Sequence, residues 1–577
     1  MHIIAFVATT LPRNADVADQ LDLLADLCEI GGEDSFRVTA YRRAALRVRE
    51  TPTQIAQLAL DGRAKELQGI GKTIEGKIVE IIEDGEIHAL TKRKAVIPGE
   101  VPLFTRLPGL GPKSARKIWQ ELGVTTLEEL KAAAEAQRLR TLPGMGAKTE
   151  ENVLKALAAP AAADEPRRTL LGRALPALKA VVAMLADHPA SQQVSIAGSA
   201  RRYKETVRDL DIIATASDAD ALIDYFTTLD WVIEVVAKGS TKATVISHDG
   251  FRFDLRVVPP ESYGNLLQHF TGSKDHNVAL REAAVRKKLS VSEYSVTETE
   301  TGEEHAFGSE EELYAFLGYA YIAPELRENG GELEAARAGD LPKLVEVGDL
   351  RGDLHTHTNW SSDGKNTLEE MVMAAIERGY EYYAVTDHSH YLREGRLAAQ
   401  AEEIAALQER VAPFRILRGV EVNIKADGTL DMSDEDLATL DWVVASVHAA
   451  REKSPLERFF AAMENPYVDC IGHLTGRKLN KRPPIDIDIE HVIAKALETN
   501  TFLELNSQPD RLDLRDVHAR AAREAGLKVV IDSDGHEIGA QNCVEFGVGQ
   551  ARRAWLTKSD VVNTKTWKQI EKLKKRR

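Results

Sequence analysis

Seven short apolar segments recur through the last third of the chain, and each ends in a polar residue. Amphipathic helical patterns lie between several of them, for example at Leu368 to Arg378 and at His491 to Leu497. Buried strands that alternate with helices predict a parallel α/β barrel, in which the carboxyl ends of the strands converge on one face. The polar ends of the segments are His357, His388, Glu421, His448, His473, Asn506 and His536.

Six of these seven ends carry side chains that can bind metal. His355 and His357 are two residues apart, so on a strand they point to one side and can chelate one ion. Asp534 and His536 repeat this arrangement on the last strand, which lies beside the first in a closed barrel. The alternative is a set of scattered polar caps, but repetition on successive strands disfavours it. We therefore expect a multi-metal hydrolase site whose sulfur-free ligands suit zinc, manganese or iron.

These residues resemble the PHP (polymerase and histidinol phosphatase) domain, from about Val345 to Trp567. The resemblance implies as many as three Zn²⁺, Mn²⁺ or Fe²⁺ ions. Such ions lower the pKa of a shared water and clamp a phosphoester, so phosphoester hydrolysis is the expected reaction. Every ligand position of the family has a match in this chain, and these matches are His355, His357, Asp363, His388, Glu421, His448, His473, Asp534 and His536.

Length and charge bound the other expectations. A chain of 577 residues suggests three or more domains. A net charge of −16 argues against binding nucleic acid through overall charge, although local basic surfaces can still contact phosphates. Cys28, Cys470 and Cys543 are far apart in sequence and favour reduced thiols, and the apolar start Met1 to Ala8 is too short to span a membrane. We expect a cytoplasmic, nucleoid-associated monomer with no membrane partner.

A pattern of leucine, any residue, glycine, apolar residue and glycine occurs three times between residues 67 and 148. Two glycines two residues apart allow a tight turn between helices, and the next helix presents free N–H groups that suit a DNA phosphate. One copy alone could be an ordinary interhelical turn, but three copies favour DNA binding. The pattern resembles the helix-hairpin-helix motif, which binds DNA backbone without reading sequence, and the resemblance allows a K⁺ or Na⁺ ion there. The predicted DNA-binding residues are Gly69, Gly71, Gly109, Gly111, Lys113, Gly144, Gly146 and Lys148.

A second metal site is predicted by Asp209 and Asp211, which alternate with apolar residues on a predicted strand. Both carboxylates therefore share one face, where they repel each other unless metal lies between them. Asp254 is placed on another strand after a hairpin turn at Asp249-Gly250. Three carboxylates on adjacent strands suit two magnesium ions bridged by a nucleoside triphosphate.

With Gly198-Ser199 upstream, this pattern resembles the nucleotidyltransferase palm of the family X DNA polymerases, over about Asn14 to Phe316. The resemblance implies Mg²⁺ or Mn²⁺ on the three aspartates, with Asp254 also activating the primer 3′-hydroxyl. It implies gapped or nicked double-stranded DNA and dNTPs as substrates. The family usually has tyrosine where this chain has His269, and often glycine where it has Arg208. The implied nucleotide contacts are Gly198, Ser199, Arg202, Phe270, Gly272, Asn277 and Arg281.

Lys77 matches the family's Schiff-base lysine, and Tyr41 and Arg37 occupy supporting positions. A neighbouring lysine of the family pattern is replaced by Thr73. An amine nucleophile needs a depressed pKa, which sequence does not show. Two interpretations therefore stand, a 5′-deoxyribose phosphate lyase and a plain phosphate contact.

The expected protein is multidomain, α+β and α/β, and it fills short gaps in DNA repair while its barrel trims 3′ ends or cleaves abasic sites. Its rivals are an untemplated nucleotidyltransferase, a DNA-binding scaffold with inactive sites, and, for the barrel, a small-phosphate hydrolase. The predicted domains are a lyase-like helical domain with one hairpin motif (1–95), a helical duplex-binding domain with two (96–165), the palm (166–258), a nucleotide-binding subdomain (259–322), a linker (323–344) and the PHP barrel (345–577).

Overall fold

The computed structural model describes residues 11–12, 14–50, 55–67, 69–105, 107, 110–158, 168–451, 453–485 and 487–575. Gly109 and the apolar start Met1 to Ala8 lie outside these residues, as does the side chain of Lys148. The chain divides into two compact units. The first comprises Met1–Arg168, His188–Ser191 and Ser217–Val257, and the second comprises Thr169–Asp187, Gln192–Ala216 and Val258–Arg577.

Short helices joined by tight turns form most of the first unit. In the helix Lys72–Asp84, isoleucines at positions 74, 78 and 81 are buried, and the helix ends at Gly85, whose φ is 78°. One hydrophobic cluster runs from Val17 to Val153, so described residues on both sides of the predicted boundary at residue 95 contribute to it. The helices are Asn14–Gly31, Ser35–Glu50, Ile55–Leu60, Lys72–Asp84, His88–Lys94, Val101–Phe104, Pro112–Leu122, Leu127–Glu135 and Ala147–Ala158.

The first unit also contains the helix Ala219–Thr227 and an antiparallel ribbon of three strands among the described residues. The turn predicted at Asp249-Gly250 joins the last two of these strands. The strands are Val232–Lys238, Lys242–Ser247 and Arg252–Val257.

The second unit begins with the helix Leu171–Ala186 and the strand Asp209–Ala216, which precede the barrel together with a group of short helices and a small antiparallel sheet. No helix within the described ranges has the length and apolar content that a membrane span requires. The other helices before residue 320 are Gly198–Arg201, Tyr263–Thr271, Lys274–Val285 and Glu310–Phe316, and the strands of the small sheet are Leu289–Val291, Val296–Glu298 and Glu304–His305.

The segment predicted as a linker is folded into a core. Arg327 is fully buried, donates a hydrogen bond to the carbonyl of Ile322 at 2.9 Å and pairs with Glu310. The helix Glu332–Ala338 packs in a hydrophobic cluster that also contains Trp555 of the barrel domain. The segment therefore lies in a core shared by the two domains that it connects, and does not act as a free tether.

The second unit ends in the predicted barrel. Within the described residues, seven parallel strands follow one another in sequence order, each hydrogen-bonded to the next. An isolated parallel bridge between Thr356 and Gly535 brings the last strand beside the first. The (β/α)₇-type barrel predicted from the sequence is confirmed. Its strands are Gly352–Asp353, Tyr382–Val385, Arg415–Asn423, Trp442–Ser446, Cys470–Ile471, Phe502–Asn506 and Val529–Asp532.

Helices follow most of these strands and cover the outer face of the barrel, so the strands are buried on both sides. The helical patterns predicted at Leu368 to Arg378 and His491 to Leu497 both form helices, with slightly different ends. The helices of the barrel domain are Leu368–Glu377, Arg396–Val411, Asp434–Leu437, Pro455–Glu464, Ile489–Thr499, Asp516–Glu524, Val544–Arg553 and Trp567–Leu573.

Two buried carboxylates join the first and last strands of the barrel. The backbone N–H of Leu354 donates to Asp532 Oδ1 at 2.8 Å, and that of Ser533 donates to Asp353 Oδ1 at 3.2 Å. Burial raises the pKa of Asp353 to about 6. At this seam, side-chain oxygens satisfy backbone N–H groups that have no ladder partner.

We expect Asp353→Ala to open this seam locally, because the N–H groups of Ser533 and His355 would lose their acceptor. An unsatisfied buried donor costs about 1–3 kcal/mol. Hydrogen exchange followed by mass spectrometry should show faster exchange in peptides that contain these amides. Asp353→Asn keeps the accepting oxygen and is the matched control, so equal protection in the alanine and asparagine variants would contradict the assignment.

Candidate functional site

The nine predicted barrel ligands lie together at the carboxyl end of the strands, around the carboxylate of Glu421. Its oxygens are 2.7 Å from His388 Nδ1, 3.1 Å from His473 Nε2 and 3.3 Å from His448 Nε2. They are also 3.6 Å and 3.7 Å from the Nε2 atoms of His355 and His357. Five imidazoles of the described chain therefore surround one buried carboxylate.

A second carboxylate, Asp534, lies on the other side of the same imidazoles. Its Oδ1 is 3.2 Å from His357 Nε2 and 3.7 Å from His536 Nδ1. Asp363, half-exposed, completes the set, since its Oδ2 is 3.3 Å from the Nε2 atoms of both His388 and His536. Within this cluster, three groups have ligand atoms that all lie within 4.8 Å of one another: His357 with His388 and His536, His355 with His357 and Glu421, and His388 with Glu421 and His448.

The donor atoms of this cluster fit bound metal. Both oxygens of Glu421, Nε2 of His355 and Nδ1 of His473 are buried, yet none makes a hydrogen bond of acceptable geometry. Unsatisfied buried polar atoms are costly, and the cost disappears when a cation takes their lone pairs. Imidazole and carboxylate donors without sulfur suit divalent zinc, manganese or iron. The residues present can therefore hold divalent metal ions.

Burial and neighbouring charges set the protonation of these ligands in the metal-free chain. Burial lowers the pKa of His357 to about 3 and that of His473 to about 4. Both imidazoles are therefore neutral at pH 7 and can offer a lone pair to a metal ion. Burial also acts to lower the pKa of His388, but the carboxylates of Glu421 and Asp363 outweigh it and raise that pKa to about 10. Hydrogen bonds from His388 and His536 hold the pKa of Asp363 well below its usual range.

A second layer of polar residues orients these ligands. Glu504 Oε1 lies 2.6 Å from His355 Nδ1, and Asn423 Oδ1 lies 2.6 Å from His448 Nδ1. Asn506 Nδ2 donates to Asp534 Oδ2 at 3.0 Å. Such partners fix which ring nitrogen faces the metal. Sequence reasoning missed Glu504 and Asn423, although each lies two residues from a strand-end polar residue and so on the same strand face.

We expect metal binding near neutral pH to release protons. A raised pKa means that His388 carries a proton at pH values below about 10, and a metal ligand must be deprotonated. Titration calorimetry with Zn²⁺ or Mn²⁺ in buffers of different ionisation enthalpy measures the number of protons released. A binding enthalpy that is the same in every buffer would contradict this assignment.

Asp209 and Asp211 lie on one face of the strand Asp209–Ala216, where both are half-buried while the alternate residues are buried. Gly198 lies against them with a φ of +66°, and a Cβ atom there would come within 2.1 Å of Asp211 Oδ2. Only glycine therefore lets this turn approach the carboxylate so closely.

Asp254 lies on the strand Arg252–Val257, in the other compact unit. Its carboxylate accepts a hydrogen bond from the hydroxyl of Thr244 and lies 3.3 Å from Arg252 Nε. The grouping of Asp254 with Asp209 and Asp211 around shared metal therefore stays a prediction.

Arg202, a predicted triphosphate ligand, already has protein partners. Its Nε donates to Glu328 Oε1 at 2.9 Å, and its Nη1 donates to the carbonyl of Thr271 at 2.6 Å. Two of its five N–H groups are used in these bonds. Ser199 and Phe270, two other predicted nucleotide contacts, are half-buried.

Asn277 holds together the turn that precedes its helix. Its Nδ2 donates to the carbonyl of His269 at 2.7 Å, and its Oδ1 accepts from Gln268 at 2.9 Å. A Cβ atom at Gly272 would lie 2.4 Å from this oxygen, so glycine is required for the turn to close. Arg281 Nη2 lies 3.0 Å from His269 Nδ1, so the histidine that replaces the family's tyrosine contacts a predicted base-contacting residue.

Lys77 lies on the helix Lys72–Asp84, with its Nζ 5.8 Å from the centre of the Tyr41 ring. Arg37, the other predicted supporting residue, pairs with Glu33 at 3.0 Å. A lysine at this position can act as a nucleophile or as a phosphate contact. Both interpretations of Lys77 therefore stay predictions.

The three predicted hairpins share one backbone geometry. The N–H groups of Ile70, Leu110 and Met145 each donate to the carbonyl of the leucine three residues earlier, at 3.0, 3.1 and 3.1 Å. All three side chains are buried. The preceding glycines that the structure describes, Gly69 and Gly144, have φ values of +90° and +88°. The first and third turns therefore need glycine at this position.

Each hairpin leads into a helix. In the two helices whose N-cap residue the structure describes, no side chain caps the first N–H groups. Gly71 and Gly111 are the N-cap residues of two of these helices, and neither cap carries a side-chain hydrogen bond. Gly146 precedes the third helix, and Lys113 is exposed. Uncapped N–H groups beside an exposed lysine suit a phosphate anion.

We expect Gly144→Ala to weaken DNA binding equally on unrelated sequences. A β-carbon at a φ of +88° costs about 1–2 kcal/mol, so the turn changes shape and its N–H groups no longer meet the phosphate. Fluorescence anisotropy with several unrelated duplexes measures the loss. Gly85→Ala imposes similar strain at a helix end, where φ is +78°, and is the control. An equal loss in the control, or a loss on one sequence only, would contradict the assignment.

Family models match four segments of the chain. A model described as a helix-hairpin-helix domain matches residues 12–87, and one described as a SAM-like helix-hairpin-helix tandem matches residues 101–159. The DNA polymerase beta thumb model matches residues 266–328. The PHP domain model matches residues 353–508, which contain seven of the nine predicted barrel ligands.

Curated relatives match the whole chain and the barrel separately. The chain is 39% identical over 573 residues to the "DNA polymerase/3'-5' exonuclease PolX" of Bacillus subtilis (strain 168), covering 97% of this chain and 99% of that protein. Its C-terminal part is 32% identical over 220 residues to a "Probable phosphatase" of Acetivibrio thermocellus, covering 36% of this chain and 86% of that protein. It is also 31% identical over 245 residues to a "Probable phosphatase" of Thermoanaerobacter sp. (strain X514), covering 39% and 95% respectively.

Proposed function

This chain belongs to the PolX family of bacterial DNA polymerases, and on that basis we propose that it fills short gaps in DNA and degrades DNA from the 3′ end. We assign synthesis to the predicted palm, residues 166–258, through Asp209, Asp211 and Asp254, and hydrolysis to the barrel. Near-full-length similarity to a protein named for both activities supports the pairing.

One observation carries the hydrolytic half of this proposal. Glu421, with both oxygens buried and unsatisfied, lies amid five histidines and beside two further carboxylates. This donor set can hold Zn²⁺, Mn²⁺ or Fe²⁺, which when bound supply a low-pKa water and neutralise phosphoester charge. Asp363 and His448 are the more exposed members of the set, so we place them at the mouth where a 3′ end enters.

In the synthetic half, Asp209 and Asp211 would hold Mg²⁺ or Mn²⁺, and Asp254 would take the proton of the primer 3′-hydroxyl. The turn at Gly198 lies close to Asp211, and its backbone N–H groups would bind the triphosphate. The hairpin turns would grip the backbone of gapped or nicked duplex DNA, with K⁺ or Na⁺ as an additional bridge. Lys77 is a candidate lyase nucleophile or a phosphate contact.

A phosphatase activity on 3′-phosphate ends is the second candidate for the barrel. The similarity of the barrel alone to two proteins named as probable phosphatases favours it. Removal of a 3′-phosphate uses the same metal-bound phosphoryl chemistry as phosphodiester cleavage.

We expect the two chemistries to be separable by substitution. Asp209→Ala should abolish nucleotide addition, because a lost bridging carboxylate removes a metal and costs several kcal/mol of transition-state stabilisation. His355→Ala with His357→Ala should abolish 3′-to-5′ degradation and empty at least one metal position. Extension assays on gapped DNA, gel assays on labelled single strands, and metal content by mass spectrometry measure these effects.

Each variant is the control for the other. Asp209 lies on no barrel strand, and the two histidines lie outside the palm, so the untouched activity should persist in each case. Near-normal primer extension by the Asp209 variant would overturn the palm assignment. Undiminished degradation by a histidine variant shown to have lost metal would overturn the barrel assignment.

A further inference from the structure

A basic cleft opens beside the metal centre of the barrel. It encloses about 690 Å³ and is lined by the loop that follows His473 and by the residues around the start of the helix Asp516–Glu524. Among the described residues that line it, none is Asp or Glu. The cations that line it are Arg477, Lys478, Lys481, Arg482 and Arg515.

The loop that forms this cleft is held rigidly to the metal site. The N–H of Gly476 donates to the carbonyl of His473, a predicted metal ligand, at 2.7 Å. Lys478 and Arg482 exchange backbone hydrogen bonds at 2.9 and 2.7 Å, which makes the segment between them a tight hairpin. The position of Lys481 at the tip is therefore fixed relative to the metal ligands.

Positive charge accumulates between the cleft and the metal centre. Arg511 Nε lies 3.7 Å from Oδ2 of the predicted ligand Asp534. Burial, followed by the charges of Arg451 and Arg511, lowers the pKa of the Arg482 guanidinium. Like charges held this close repel one another unless an anion lies among them.

Two of the cleft cations have no acidic partner among the described residues. Arg477 pairs with Glu205, and Lys478 pairs with Asp510 at 2.8 Å, so both stabilise the fold. Lys481 and Arg515 are exposed and form no ion pair with any described residue. They are available for a ligand that carries several negative charges.

Apolar residues also line the cleft. They include Pro483, Pro484 and Ile487. In a duplex the bases are stacked inside and cannot use such a wall, whereas an unpaired strand places its phosphates on cations and its bases on apolar surface. This combination favours a single strand over a duplex.

We propose that this cleft binds the backbone of the unpaired DNA strand whose 3′ end lies at the metal centre. Lys481 and Arg515 contact phosphates upstream of the scissile bond, and Arg511 contacts the phosphate nearest the metal ligands. This inference rests on the proposed nuclease function and adds the residues that would hold the strand leading to the metal centre.

The test compares the wild type with a double variant that carries both Lys481→Ala and Arg515→Ala. Both proteins are full-length and metal-loaded. Initial rates are measured on a thymidine dinucleotide, a longer oligothymidylate and bis(p-nitrophenyl) phosphate, a diester without a DNA strand. Lys568→Ala with Lys572→Ala is the matched control, because both lysines are exposed and lie on the helix Trp567–Leu573. That helix packs beside Trp442 and Phe502, the first residues of their strands, so it lies at the other end of the barrel.

We expect the double variant to raise the KM for the longer strand several-fold relative to its KM for the diester, with kcat on DNA retained. The slope of log KM against log salt should become shallower by about 1.4, since each phosphate contact on a single strand contributes about 0.7. The dinucleotide should show a smaller change than the longer strand, and the control variant should match the wild type.

Three results would overturn the proposal. One is a double variant whose KM and salt slope on the longer strand equal those of the wild type. Another is an equal loss on the diester and on DNA, which would place both residues in the metal centre itself. The third is a loss on the dinucleotide as large as that on the longer strand. If the wild type cleaves the diester but no DNA, the proposed nuclease function is wrong. The cleft proposal, which depends on that function, is then wrong as well.

Discussion

The barrel site depends on one buried carboxylate, Glu421, and on the histidines around it. A carboxylate removed from water is strongly destabilised unless positive charge compensates it. In the metal-free chain His388 supplies this charge, because the carboxylate raises the pKa of that imidazole to about 10. His357 and His473 remain neutral and offer free lone pairs. Metal binding therefore replaces a proton with a cation of higher charge, in a site where the buried carboxylate already requires compensating positive charge.

The barrel can hold such a cluster because its strands satisfy the polar groups around it. Glu504 and Asn423 fix two of the imidazoles, and Asn506 fixes the carboxylate of Asp534. Each of these three side chains lies on a strand, where backbone ladders on both sides restrict its movement. The ligands are consequently positioned before metal arrives, so binding energy is not lost in ordering them.

The sequence predicted the barrel, the clustering of the nine candidate ligands at one end of it and the hairpin turns, because each rests on a local, repeated pattern: strand-end polar residues, helical periodicity, or paired glycines. It did not predict features that depend on packing between distant segments. The stretch at 323–344 has the composition of a linker, yet Arg327 is buried in it because Glu310 offers a carboxylate from elsewhere in the chain. Glu504 was missed for a similar reason, since its role depends on the distance to His355 and not on its neighbours in sequence.

The same long-range packing connects the predicted nucleotide site to the barrel domain. Glu328 accepts hydrogen bonds from both Arg202 and Arg553, at 2.9 Å each, and Arg553 also donates to the backbone carbonyl of Arg202 at 2.9 Å. Asp516 holds the other side of the Arg553 guanidinium at 2.7 Å. A triphosphate bound by Arg202 must therefore use the N–H groups that Glu328 leaves open or displace that carboxylate. Displacement would leave Arg553 with one carboxylate in a buried position, which is unfavourable. The barrel domain thus restricts the orientation in which Arg202 can meet a nucleotide, because it holds both that residue's backbone and its acidic partner.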